Sequence, residues 1–344
     1  MNGVITISCK LFLIFLLLIT TLTTDAQIDY HRTLYTEYQL PLLSKTKPLQ
    51  NAHSFSWKRA AIVYGSSGLM WGSALIGLNE LWYKDYPRSS FHFYNDKKEW
   101  LQVDKAGHAM TAYFESRWAY NMGIWAGVKP GKAAFIGAGL GWSYQLSMEL
   151  LDAYSQKWGF SWYDIAANTL GSSLFLTQQL IWNEQRISLK YFTATPKYPD
   201  DPMIHARVAA LYGTGFWQQK LKDYNAQTYW LSFNLSSFIK TNVNIPKWLN
   251  IAIGYSAEGM LGGFQNEWTD NTTLIQRNDI KRYRQFFISP DIDFTKIKTK
   301  YRAVKMGLQL INIFKAPAPA IEINSLGKLK FYPVYFLNWH ILLR

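Results

Sequence analysis

Cysteine is almost missing from this chain: of 344 residues the single one is Cys9. It precedes the apolar run Leu11–Thr24, so the region beyond that run has no thiol. Disulfides, zinc–thiolate sites and cysteine nucleophiles are thereby excluded. Charge is also sparse, at 17% of residues, and acids are fewer than bases, giving a formal net charge of +13. No Lys/Arg run exceeds a few residues and no nucleic-acid motif is present, so nucleic acid is not an expected partner. Internal repeats and low-complexity tracts are absent as well.

What the chain does have is an exported protein's leader and a heavy aromatic load. Lys10, the uncharged run Leu11–Thr24 and the small-residue site before Gln27 read as a secretory signal over residues 1–26. The run is short for a membrane span. Aromatics make up 17% of the chain, with Trp and Tyr abundant. A basic, aromatic-rich exported protein points to a membrane surface, anionic lipid or acidic glycan in the cell envelope, periplasmic or outer-membrane-associated.

Residues 27–58 read as an extended lead-in, 59–195 as a mainly helical core of four helices, and 196–344 as a smaller β-containing module, an α+β chain overall. The helices are expected over Ala60–Leu78, Asp104–Trp125, Ala133–Tyr154 and Ser161 or Trp162–Asn183. Gly68-x-x-x-Gly72 and Ser73-x-x-x-Gly77 would let helices approach closely. Asp104 and Ser161 are the expected N-caps, with Asp164 completing an acidic capping box. Long uncharged interiors leave two readings open, a buried bundle or a small polytopic membrane domain, and loop charges show no sidedness. Beyond the turn-rich Tyr198-Pro199-Asp200-Asp201-Pro202, alternation predicts strands near Tyr229–Leu235, Leu249–Tyr255, Phe287–Phe294, Ile321–Ile323 and Leu329–Leu337. Val304–Phe314 fits helix or strand. These signals are too few and irregular to favour an outer-membrane barrel.

The chemistry concentrates in the helical core. Asp104, His108, Thr111 and Glu115 share one helix face; Gln145, Glu149 and Asp152 share another; Asp164, Asn168 and Gly171 form a third line. Carboxylates and imidazoles among Trp, Leu and Ala need partners, and the likeliest are one another. His108, Glu149, Asp152 and Asp164 are candidate ligands for a divalent metal, or acid and base groups. Lys105 and Arg117 are candidate phosphate receivers. The spacing matches no His-Glu-x-x-His site, Gly137-x-Gly139-x-Gly141 lacks the features of a dinucleotide fingerprint, and no nucleophile elbow surrounds Ser66 or Ser67. A structural hydrogen-bond network, a binding site and an enzyme site all remain open.

Asp104-Lys105-x-x-His108, Glu149-x-x-Asp152 and Gly159-Phe160-Ser161-Trp162-x-Asp164-x-x-x-Asn168-x-x-Gly171 together resemble the YfiM-like family (domain of unknown function 2279). Its members are exported bacterial envelope proteins, often described as periplasmic lipoproteins, without a known activity. More distantly the pattern is similar to VanZ-like membrane proteins. The resemblance covers about Val103–Phe175 and implies an envelope location and a helical core, with site positions Asp104, Lys105, His108, Glu149, Asp152, Asp164, Asn168 and Gly171. Lipidation does not carry over, because no cysteine follows the apolar run. The expected function is that of a membrane-associated envelope protein with a buried polar site in a binding or structural role. The alternative is a metal-assisted hydrolase of a phosphorylated or lipid-linked substrate.

Overall fold

The computed structural model describes residues 55–84, 86–239, 244–335 and 341–343. The expected signal peptide and nearly all of the lead-in lie outside these residues. In chain order the elements are α1 (Trp57–Leu78), α2 (Val103–Trp125), α3 (Pro130–Ala153), α4 (Trp162–Trp182), β1 (Ile187–Thr193), α5 (Pro202–Tyr212), α6 (Phe216–Lys222), β2 (Gln227–Asn234), β3 (Leu249–Glu258), β4 (Glu267–Asp270), β5 (Thr273–Gln276), β6 (Tyr283–Ile292), α7 (Arg302–Ile311), β7 (Ala320–Asn324), β8 (Leu329–Tyr332) and β9 (Ile341–Leu343). The fold is α+β. Two compact units share them, one containing 55–94, 111–184 and 299–310, the other 95–110, 185–298 and 311–344. The division falls inside α2, between Met110 and Thr111.

In the first unit, Ser56 caps α1, its hydroxyl accepting from the Arg59 N–H at 3.4 Å. Ala60 and Val63 of α1 pack on Met122 and Ala126 of α2, with Trp118 and Trp125 around them. Much of α1 is otherwise uncovered, including Trp57, Leu69 and Ile76, and the helix is long and apolar enough to cross a membrane. The glycines expected to admit a close helix neighbour do not do so here. A Cβ added at Gly68, Gly72 or Gly77 would meet nothing within 4 Å. That role belongs to α3. A Cβ on Gly137 would sit 2.6 Å from the Ser116 carbonyl oxygen, and one on Gly141 would sit 2.6 Å from the Ser116 nitrogen. Gly139, on the other side of α3, has open space. Gly137 and Gly141 therefore form a groove for α2, which explains them without a nucleotide.

Two helix starts differ from expectation. Pro130, three residues before the expected start at Ala133, opens α3 at its first turn, where a missing N–H costs nothing. Asp104 does not cap α2, which begins one residue earlier behind a tight turn holding Trp100, Leu101 and Gln102 at positive φ. Its carboxylate is drawn instead to Lys105.

The second unit is built on an antiparallel sheet of order β1-β2-β3-β6-β7-β8-β9, with β4–β5 forming a separate two-stranded ribbon. Val103, Ala257 and Met260 form one small core, and Ile204, Val208, Tyr212 and Leu261 another. The Trp100 N–H donates to the Gly263 carbonyl at 2.7 Å, tying the start of α2 to the loop after β3. The turn-rich stretch before α5 is its cap: Asp201 accepts from the Met203 N–H at 2.9 Å and Pro202 takes the first helical position. Val304–Phe314 resolves as helix over Arg302–Ile311.

The expected strands form near their predicted places, though β2 stops at Asn234 and Leu235–Phe238 is a single helical turn. On β2, Tyr229, Leu231 and Phe233 do share a face, but Trp230, Ser232 and Asn234 opposite them are the fully covered ones. The covered face also carries Lys190, Asn250, Ser256, Gln285, Ser289, Asp291 and Glu322.

Candidate functional site

The polar lines of α3 and α4 meet at the start of α4. Backbone bonds set that start: the Phe160 N–H donates to His92 O at 2.9 Å, and the Tyr94 N–H donates to Phe160 O at 3.0 Å. The next residue, Ser161, caps α4 as expected, its hydroxyl accepting from the N–H groups of Tyr163 and Asp164, each at 3.1 Å. Its own N–H donates to Glu149 Oε2 at 3.2 Å. Glu149, wholly buried near the C-terminal end of α3, thus faces the positive end of α4. Asp164, in the first turn of α4 and also buried, brings a carboxylate oxygen within 4.8 Å of one from Glu149. Asn168, one turn further along, is fully buried.

Two carboxylates at that separation repel by about 3.5 kcal/mol at an effective dielectric constant of ~20. The helix terminus offsets part of this.

Other predicted residues lie in neighbouring bonds of the same unit. Asp152 Oδ1 accepts from the Tyr83 hydroxyl at 2.8 Å. Burial first, then the Asp152 charge, raises that phenol, so it stays protonated and donates. Gln145 Nε2 donates to Glu115 Oε2 at 2.8 Å. Desolvation pushes the Glu115 carboxyl well above the ordinary range, with the Gln145 bond opposing. Ser116 links α2 to Ser172 of α4 at 3.2 Å. Gly171, beside Ser172, is buried.

Asp104, Lys105 and His108 lie on the first two turns of α2, within the second unit. Lys105 is no free anion receiver, because its ammonium bonds to Asp104 Oδ2 at 2.9 Å and to Asp96 Oδ2. Asp96 is buried and escaped the sequence reading: it lies before α2, outside any helical period. Burial raises the Asp104 carboxyl, and the Lys105 charge and bond, then the His108 charge, pull it back down. His108 is half-buried one turn beyond Asp104.

Residues 91–178 match the family model described as "Predicted periplasmic lipoprotein (DUF2279)". No curated protein and no solved structure matches the chain. The matched span contains Asp104, Lys105, His108, Glu149, Asp152, Asp164 and Asn168, and the family's description agrees with the export signal. The chain is an exported protein of the periplasm or cell envelope.

Proposed function

We propose that this is a membrane-associated envelope protein whose helical core binds a divalent cation through Glu149 and Asp164. Asp152, Asn168 and the Ser161 cap hold the ligand helices in place. The observation that carries this reading is the approach of two buried carboxylates within 4.8 Å at one helix start. Hard oxygen ligands of this kind suit Mg²⁺, Ca²⁺ or Mn²⁺. The role is binding or structural. The net charge of +13 supports attraction to anionic lipid or acidic glycan, and the uncovered, apolar α1 supports membrane association. The relation to VanZ-like membrane proteins, carried by the same residues, belongs to this proposal.

The hydrolase alternative uses the same ligands but needs a cationic group to hold a phosphorylated substrate. Lys105, its candidate, is engaged by two carboxylates, which favours the binding role. The test is elemental analysis of protein purified from the envelope fraction without chelator, beside Glu149→Ala. A stoichiometric metal, lost in the folded variant, is expected. Wild-type protein free of metal would refute the cation site.

A further inference from the structure

The sheet of the second unit is inside out. In an antiparallel sheet of a water-soluble protein, the covered face is apolar and the charges point to solvent. Here the covered face holds Lys190, Asp291 and Glu322, with Lys330 and Glu258, beside the apolar cluster of Trp230, Ala252, Phe287, Ala320 and Tyr332. The outward positions run the other way. In register across the strands, Leu231 faces Ile253, Ile253 faces Ile288, Ile288 faces Ile321 and Ile321 faces Phe331. A second row joins Tyr255, Phe286, Ile323 and Leu329. Among the described strands of the large sheet, the one charged residue on the outward side is Arg284, near the start of β6, and it donates to Gln102 at 2.7 Å.

These outward residues are not covered: Ile253 is 52% exposed and Ile323 57%, and Leu231, Phe286, Ile288 and Ile321 are exposed too. The face is overlaid near Tyr229 and Tyr255, by Leu101 and Gly107 of the same unit, and Leu189 on the edge strand β1 is covered as well.

We propose that this outward face lies against the hydrocarbon of a lipid bilayer. The inference rests on the membrane association proposed above and names the surface that makes it. Four observations select lipid over a second protein. The outward positions are apolar almost throughout while the charges are held on the covered face, the distribution that strands adopt when hydrocarbon replaces water as the outer solvent. The inner charges are paired within the unit, Lys190 with Asp291 and Lys330 with Glu322, so the inner face needs no water. β3 and β6 are ten residues long, within the roughly 9–11 residues that a tilted strand needs to cross hydrocarbon. And the protein is located in the envelope. A protein partner would be expected to meet a patch with a polar rim on the same face, whereas here the apolar rows run on from strand to strand.

The test uses the scarcity of cysteine. In a Cys9→Ser background of the full chain, Ile253→Cys, Ile288→Cys and Ile323→Cys each place one spin label on the face, and Lys328→Cys places a control on the exposed β7–β8 turn. The proteins are reconstituted into vesicles of phosphatidylethanolamine and phosphatidylglycerol and separated by flotation. Expected is floating protein whose three face labels relax several-fold more with oxygen than with a water-soluble nickel chelate, the order reversing at Lys328→Cys. Floating protein with nickel-accessible face labels would overturn the sheet as the contact surface and leave membrane association standing through α1. Labels shielded from both colliders would overturn it in favour of a second protein copy. Failure to float would overturn the membrane reading and this inference together.

Discussion

Replacing Asp291 by alanine tests whether the inner face of the sheet is as dry as its geometry requires. The Asp291 and Lys190 side chains are 0% exposed, with Lys190 Nζ 2.9 Å from Asp291 Oδ2. Ser232 Oγ donates to the same oxygen at 2.6 Å, the Ala316 N–H donates to Oδ1 at 2.9 Å, and Lys315 Nζ lies 3.7 Å from Oδ1. One carboxylate thus answers two buried ammonium groups. Removing one partner of a buried pair costs about 3–5 kcal/mol, because the remaining charge is left without compensation. Asp291→Ala should therefore lie near the upper end of that range, while Asp291→Leu with both Lys190→Met and Lys315→Met should recover much of the loss. Guanidinium unfolding in detergent micelles reads both. A cost below about 1 kcal/mol for Asp291→Ala would show that water solvates the lysines, and the dry-interior argument would fall. The same cluster makes a pH prediction. Burial pushes Lys315 down to about 8 from its ordinary 10.5, with Asp291 opposing. Between those values the unfolded chain binds more protons than the folded one, so wild-type stability should rise with pH across that window, with a slope approaching about 1.4 kcal/mol per unit from this group. A flat profile would contradict it.

In the helical unit, Glu149→Gln removes one member of the carboxylate pair. Thermal melts should show the wild type gaining several degrees on adding a saturating divalent cation and the variant gaining none, and equal gains would place the ion elsewhere. Glu115, held protonated by burial, should make stability fall as pH rises above about 4.5, the unfolded value, until the raised folded pKa is reached. Glu115→Gln should flatten that fall, and a wild-type profile already flat there would refute the assignment. Gly141→Ala puts a methyl against the Ser116 backbone and should cost about 1–3 kcal/mol by overpacking. Gly139→Ala, facing open space, should be neutral or slightly stabilising in the same unfolding assay.

Much of the helical core was legible locally. Long apolar stretches located the helices, and Ser161 marked the start of α4 because a hydroxyl cap acts within three residues. The site line of α3 and α4 was legible for the same reason, since helical period alone aligns Gln145, Glu149 and Asp152. Asp96 was not, because its bond to Lys105 joins a loop to a helix. β1 escaped notice, with Lys190 in its middle reading as a solvent residue. The β4–β5 ribbon escaped because it is short, largely exposed and mostly polar, turning at Asn271 with φ 53°.

By itself the sequence determined export, the absence of thiol chemistry, the α+β order of elements, and the alternation that makes strands two-faced. Only the tertiary structure decided that Gly137 and Gly141, rather than Gly68 and Gly72, admit a neighbouring helix, since that depends on where a partner backbone lies. It alone decided which side of the sheet is covered. Alternation is a property of one strand, with period two whichever face is inside. The choice rests on contacts between strands, distant in the chain for Lys190 with Asp291 and across one hairpin for Glu322 with Lys330, which pair the charges inward and leave the isoleucines outward.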